Sequence, residues 1–170
     1  MLLYGCVSTK KVRNQSLEVV KFDTAKFNGN YANKADTAKH LNSYKLLFEQ
    51  LFSGTFIDRY PKNIHITDST IVNFYFDNKK TLVITTTENG KVLHNLKLKG
   101  KIKGNYFSAN RKLFLIPIPM FFYFHDETKI LLGNDANGNL VLKSGKYSIG
   151  WILMAANNWD ISQSLYKKLK

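Results

Sequence analysis

The sequence predicts a mainly β fold: a single antiparallel, up-and-down, barrel-like domain with one helix after the first strand. Three observations predict it. From Asn63 onward, short segments alternate between apolar and polar residues, and turn-forming clusters separate them at regular spacing. The clearest segment, Val92–Phe107, carries Leu96, Leu98 and Ile102 on one parity and Lys97, Lys99, Lys101 and Lys103 on the other. A strand sends those two parities to opposite faces. The composition is globular, with 44% hydrophobic and 14% aromatic residues in a 170-residue chain. A chain of that size builds a core without disulfides or metal.

The elements follow in order. Phe27–Asn33 reads as a first strand, with Phe27 and Tyr31 on one face. A helix comes next, with Asn42 as N-cap, Gly54 as stop, and Tyr44, Leu47, Phe48 and Leu51 at helical spacing. Ile71–Phe76 and Thr81–Thr87 are strands joined through Asp77-Asn78-Lys79-Lys80. Glu88-Asn89-Gly90-Lys91 holds the Asn-Gly pair favoured in tight hairpins and leads into Val92–Phe107. Within that strand, Gly100 and Gly104 mark bends or bulges. Lys112–Ile116 and Met120–His125 flank a Pro-Ile-Pro kink. Asp126-Glu127-Thr128 turns into Lys129–Gly133, and Asp135-Ala136-Asn137-Gly138 turns into Leu140–Ser144. Tyr147–Ala155 is the last strand. A short C-terminal helix follows, with Asp160 as N-cap and Ile161, Leu165 and Leu169 inward.

The N-terminus points to an anchor. Leu3-Tyr4-Gly5-Cys6 resembles a lipobox, the site at which bacterial prolipoproteins are lipidated on cysteine and cut before it. Cys6 is the expected lipid attachment site and the chain's single cysteine. The rest of a signal peptide, a basic and then an apolar segment, is expected upstream of Leu3. Val7–Lys26 is mostly polar and reads as a tether. The expected division is therefore a lipobox remnant and flexible tether over 1–26 and a barrel-like domain over 27–170. In Bacteroidetes-like lipoproteins an acidic cluster after the cysteine marks export to the cell surface. None follows Cys6, so the expected location is the periplasm-facing outer membrane.

The order of elements resembles the calycin-like barrels, the lipocalin and fatty-acid-binding class. It also resembles small Bacteroidetes lipoproteins, through Phe27-Asn28-Gly29-Asn30-Tyr31, the helix around Leu46–Leu51, Leu98-Lys99-Gly100-Lys101-Ile102 and Ile130-Leu131-Leu132-Gly133. The resemblance spans most of the chain after residue 26. It implies an envelope protein that binds rather than catalyses.

Catalytic and metal chemistry finds little support. Ser8-Thr9-Lys10-Lys11, Ser108-Ala109-Asn110 and Lys143-Ser144-Gly145 follow the order of serine acyl-transfer motifs. But Ser8 falls in the tether, and the chain is too short for a penicillin-binding fold. His40, His65, His94 and His125 are scattered and lack metal-ligand spacing. No cofactor motif is present.

Binding is better supported. The net charge is +13, which favours anionic partners. Arginine occurs only at 13, 59 and 111, which argues against base-specific nucleic-acid recognition. The main expectation is a small apolar or amphipathic ligand inside the barrel, against the aromatic block Phe121-Phe122-Tyr123-Phe124, with Arg111 as the cation for an acidic head. The alternative is a filled core, with the lysine row 97–103 meeting an anionic envelope component.

Overall fold

The computed structural model describes residues 9–39, 46–53, 65–109, 112–118, 122–152 and 154–170. Their elements are α1 (Thr9–Arg13), α2 (Thr24–Phe27), β1 (Gly29–Ala32), β2 (Thr37–Lys39), α3 (Leu47–Ser53), β3 (Ile71–Asn78) and β4 (Thr81–Glu88). There follow β5 (Lys91–Lys103), β6 (Tyr106–Ala109), β7 (Lys112–Ile118), β8 (Phe122–Asn134), β9 (Leu140–Ile152) and β10 (Met154–Tyr166). The ten described strands form one antiparallel sheet in the order β1-β3-β4-β5-β6-β8-β9-β10-β2, with β7 also on β8. β1 and β2 lie in succession along β10 and its extension, and β6 and β7 lie in succession along β8. The strands thus make eight up-and-down staves of a curled, barrel-like sheet, consistent with a calycin-type fold. The two ends of the path are stitched together. Ala32 N–H donates to Lys167 O at 2.9 Å, and Leu169 N–H donates to Asn30 O at 2.8 Å. Joining the ends pairs edges that would otherwise be open.

Local chemistry sets the turns. Asn89 and Gly90 both have positive φ, 49° and 76°, as a two-residue hairpin with the sheet's right-handed twist requires. Gly104, at φ 63°, ends β5 and turns the chain into β6. The expected single strand Val92–Phe107 is therefore two strands. Gly100 serves close approach: a Cβ there would lie 2.4 Å from Ser108 O.

Four other expectations are corrected. Asp126-Glu127-Thr128 is not a turn but the middle of β8, paired with Phe114-Leu113-Lys112 on one side and Ser148-Tyr147-Lys146 on the other. Leu140–Ser144 and the strand beginning at Tyr147 are one strand, β9. The C-terminal helix from Asp160 is the second half of β10, laddered to β9 from Asp160↔Lys146 to Tyr166↔Leu140. The helix expectation rested on apolar residues four apart, a spacing that also fits a strand. At the other end of the chain, the first strand starts at Gly29, because Phe27 closes α2.

Among the described residues the core lies on the inner face of the sheet. Phe27, Tyr31, Phe74, Phe76 and Phe107 are all buried. Their rings pack with centroids 5.4 Å apart for Tyr31–Phe74, 5.6 Å for Phe27–Phe74 and 5.1 Å for Phe76–Phe107. α3 adds Leu47, Phe48, Leu51 and Phe52 to the same cluster. Its expected cap and stop, Asn42 and Gly54, lie outside the described residues.

A second, smaller cluster lies on the outer face. Val12, Tyr106, Leu131 and Tyr147 pack there, with Val19 against them. From Thr9 onward, the stretch expected to be a flexible tether is laid along the sheet instead. Val20 N–H donates to Asn134 O at 2.9 Å, and Asn105 Nδ2 donates to Val19 O at 2.9 Å. Its few apolar residues are enough, because the sheet supplies partners for its backbone.

Candidate functional site

Both residues singled out from the sequence, Cys6 for lipid and Arg111 for a ligand head, lie outside the described residues. So does Phe121 of the aromatic block. Two described regions remain as candidates: the inner wall near α3 and the outer basic face.

The inner wall changes character along β9 and β10. At one end Leu140 and Tyr166 are in register and belong to the core. Further along, the same inward rows hold Leu142↔Ser164, Ser144↔Ser162 and Lys146↔Asp160. Ser144 and Ser162 share a hydrogen bond of 2.6 Å between their Oγ atoms. Gln50 of α3 donates from Nε2 to Ser164 Oγ at 3.0 Å. The hydroxyls of Ser144, Ser162 and Ser164 and the amide nitrogen of Gln50 are thereby paired. Burial also raises the Tyr166 phenol well above its ordinary pKa.

The outer face of β5 is the opposite case. Lys97, Lys99, Lys101 and Lys103 are all exposed, while Leu96 and Leu98 between them are buried. Side chains two apart on a strand are separated by about 7 Å, so the four ammonium groups form a row about 20 Å long. Beside the row, Lys97 is in register with Val83 of β4, and Val83 with Tyr75 of β3. Tyr75 is 56% exposed. Asp77 is exposed at the end of β3.

The row does not end with β5. Arg13, at the end of α1, donates from Nη2 to Lys103 O at 3.4 Å. Its guanidinium lies 5.8 Å from the ring centre of Tyr106, the cross-strand partner of Lys103. α1 therefore ends with Arg13 beside Lys103, at the end of the lysine row, while the helix itself lies over β8 and β9, where Lys10 and Lys11 are exposed. Under α1, Lys143 is almost wholly buried and donates from Nζ to Arg13 O and Gln15 O, each at 3.0 Å. Burial holds its pKa below the ordinary lysine value. Gln163 fixes the next stretch, accepting from Leu17 N–H at 3.0 Å and donating to Ser16 Oγ at 2.8 Å.

The β5 row is legible in the sequence, whereas α1, Lys143 and Gln163 are not expected from it. A signal for a covering segment was present, though none for Lys143 or Gln163. Ile130-Leu131-Leu132 and Leu140-Val141-Leu142 are apolar without alternation, and a strand of that kind is covered on both faces.

Among the described residues, no group of three or more His, Cys, Asp or Glu side chains could hold a metal ion. No described helix is long and apolar enough to cross a membrane. No protein-family model, curated protein or solved structure matches the chain.

Proposed function

We propose that this is a lipid-anchored, non-catalytic protein of a bacterial envelope that acts through the basic outer face of its barrel. The observation that carries the reading is the contrast between two surfaces. The described interior is packed with the protein's own aromatic rings, while Lys97, Lys99, Lys101 and Lys103 stand exposed in one row. Where the described core is packed, the outside is the surface open to a partner, and the +13 charge selects an anionic one. The anchor reading rests on Leu3-Tyr4-Gly5-Cys6.

Metabolic labelling tests it. The precursor with its upstream segment incorporates palmitate and partitions into detergent, and Cys6→Ser abolishes both. Equal labelling of the variant removes the anchor from the account.

A second reading, a small amphipathic ligand within the barrel, is favoured by the polar inner rows around Ser144, Ser162 and Lys146. Arg111 is its proposed cation. A fluorescent fatty-acid analogue bound with affinity in the micromolar range, about −8 kcal/mol, supports that reading over the first. Arg111→Ala then weakens an acidic-headed probe more than a neutral one.

A further inference from the structure

We infer that α1 and β5 together form one membrane-docking surface, which lays the barrel's side against an anionic bilayer. The inference deepens the proposed outer-face function by naming the partner, and it does not require lipid on Cys6. The contact between Arg13 and Lys103 joins the end of α1 to the end of the β5 row on the outer face. Lys10 and Lys11 on α1 and Lys97, Lys99, Lys101 and Lys103 on β5 supply its exposed cations.

Three features favour a bilayer over another anion. The charges on β5 are all lysine, a compact point charge that needs no geometric match with headgroup phosphates. They lie on the outer face of a sheet, spread along its length. Apolar side chains accompany them: Tyr75 and Val83 lie in register with Lys97, and Val92, at the start of β5, is 59% exposed. An amphipathic ring beside cations suits the interfacial zone of a membrane.

The N-terminus adds an orientation. The chain between Cys6 and the start of α1 at Thr9 can reach only about 10 Å. α1 is itself fastened to the barrel through Lys143. A lipid on Cys6 would therefore hold the start of α1 within about 10 Å of the bilayer instead of letting the domain swing on a long leash.

Flotation with vesicles tests the surface on the unlipidated 170-residue chain. The vesicles are phosphatidylcholine alone, or phosphatidylcholine and phosphatidylglycerol in equal parts. The protein is expected to float only with the second, and less as salt rises. The triple variant Lys99→Glu, Lys101→Glu, Lys103→Glu should lower the affinity by roughly 100-fold, since each lysine near an anionic surface contributes about a factor of five. An equal charge change at Lys26, Lys167 and Lys170, beside the β1–β10 seam, should leave most of it. Circular dichroism checks that both variants fold. Equal losses in the two triples overturn the assignment of the face. Retention on soluble polygalacturonate without flotation on either vesicle overturns the bilayer as partner. Because the chain carries no lipid, these results are independent of palmitate labelling at Cys6.

Discussion

At the residue scale, two buried polar side chains hold the outer and inner layers in place. Lys143 fastens α1 through the carbonyls of Arg13 and Gln15. Lys143→Ala leaves both acceptors without that donor and should cost about 1–3 kcal/mol. Its specific mark is faster tryptic cleavage at Lys10, Lys11 and Arg13 under native conditions. Unchanged cleavage would mean that α1 is held without Lys143, by Val12 packing and the Arg13 contacts. Tyr31 does the corresponding work inside. Its hydroxyl donates to Phe27 O at 2.7 Å and accepts from Asn134 Nδ2 at 3.1 Å. Burial pushes its pKa up to about 12 from an ordinary value of 10.0. Above about pH 10 the unfolded chain gives up a proton that the folded state keeps, so stability falls as pH rises toward 12. Tyr166 is shifted in the same direction and adds to the fall. Tyr31→Phe should cost about 1–2 kcal/mol in urea unfolding near neutral pH and make the alkaline decline shallower. An unaltered alkaline slope would assign it to other groups. Neither role was legible in the sequence. A lysine or tyrosine on a strand looks alike whether it meets water or a partner more than 100 residues away.

At the element scale, β5 was the most legible part of the chain. Its alternation separates Leu96 and Leu98 from four lysines, and the structure buries the first set and exposes the second. Leu98→Asp places an unpaired charge in the core and should unfold the domain, while Lys99→Asp should change stability by less than about 0.5 kcal/mol. Similar costs in a denaturation series would mean that the two faces are assigned wrongly. The C-terminal end of β10 was misread because Ile161, Leu165 and Leu169 fit either period, and only the ladder with β9 decides between them. The turn expected at Asp126 failed for a related reason. Polar residues in mid-strand imitate a turn when the pairing on either side is not visible. α1 was missed because its stretch is polar on average, although Val12 and Val19 are the residues that pack.

At the scale of the whole molecule, the barrel closes through contacts that join residues 30–39 to residues 163–169. An up-and-down order was readable from the spacing of strands and turns, because each strand needs only its neighbour. The closing seam and the strap over the outer face were not, because both pair segments that lie far apart in the chain. The same holds for the candidate site. The lysine row is local to one strand and visible in sequence, whereas its continuation into α1 depends on the long-range contact of Arg13 with Lys103. The most direct test of action through this outer face uses an environment-sensitive dye on a cysteine at position 101 in the Cys6→Ser background, with a second protein labelled at position 167. On phosphatidylglycerol-containing vesicles, the dye at Lys101→Cys should shift to the blue and lose access to an aqueous quencher, while the dye at Lys167→Cys keeps both its spectrum and its access. A blue shift at position 167 alone, or no shift at either position, would contradict the account.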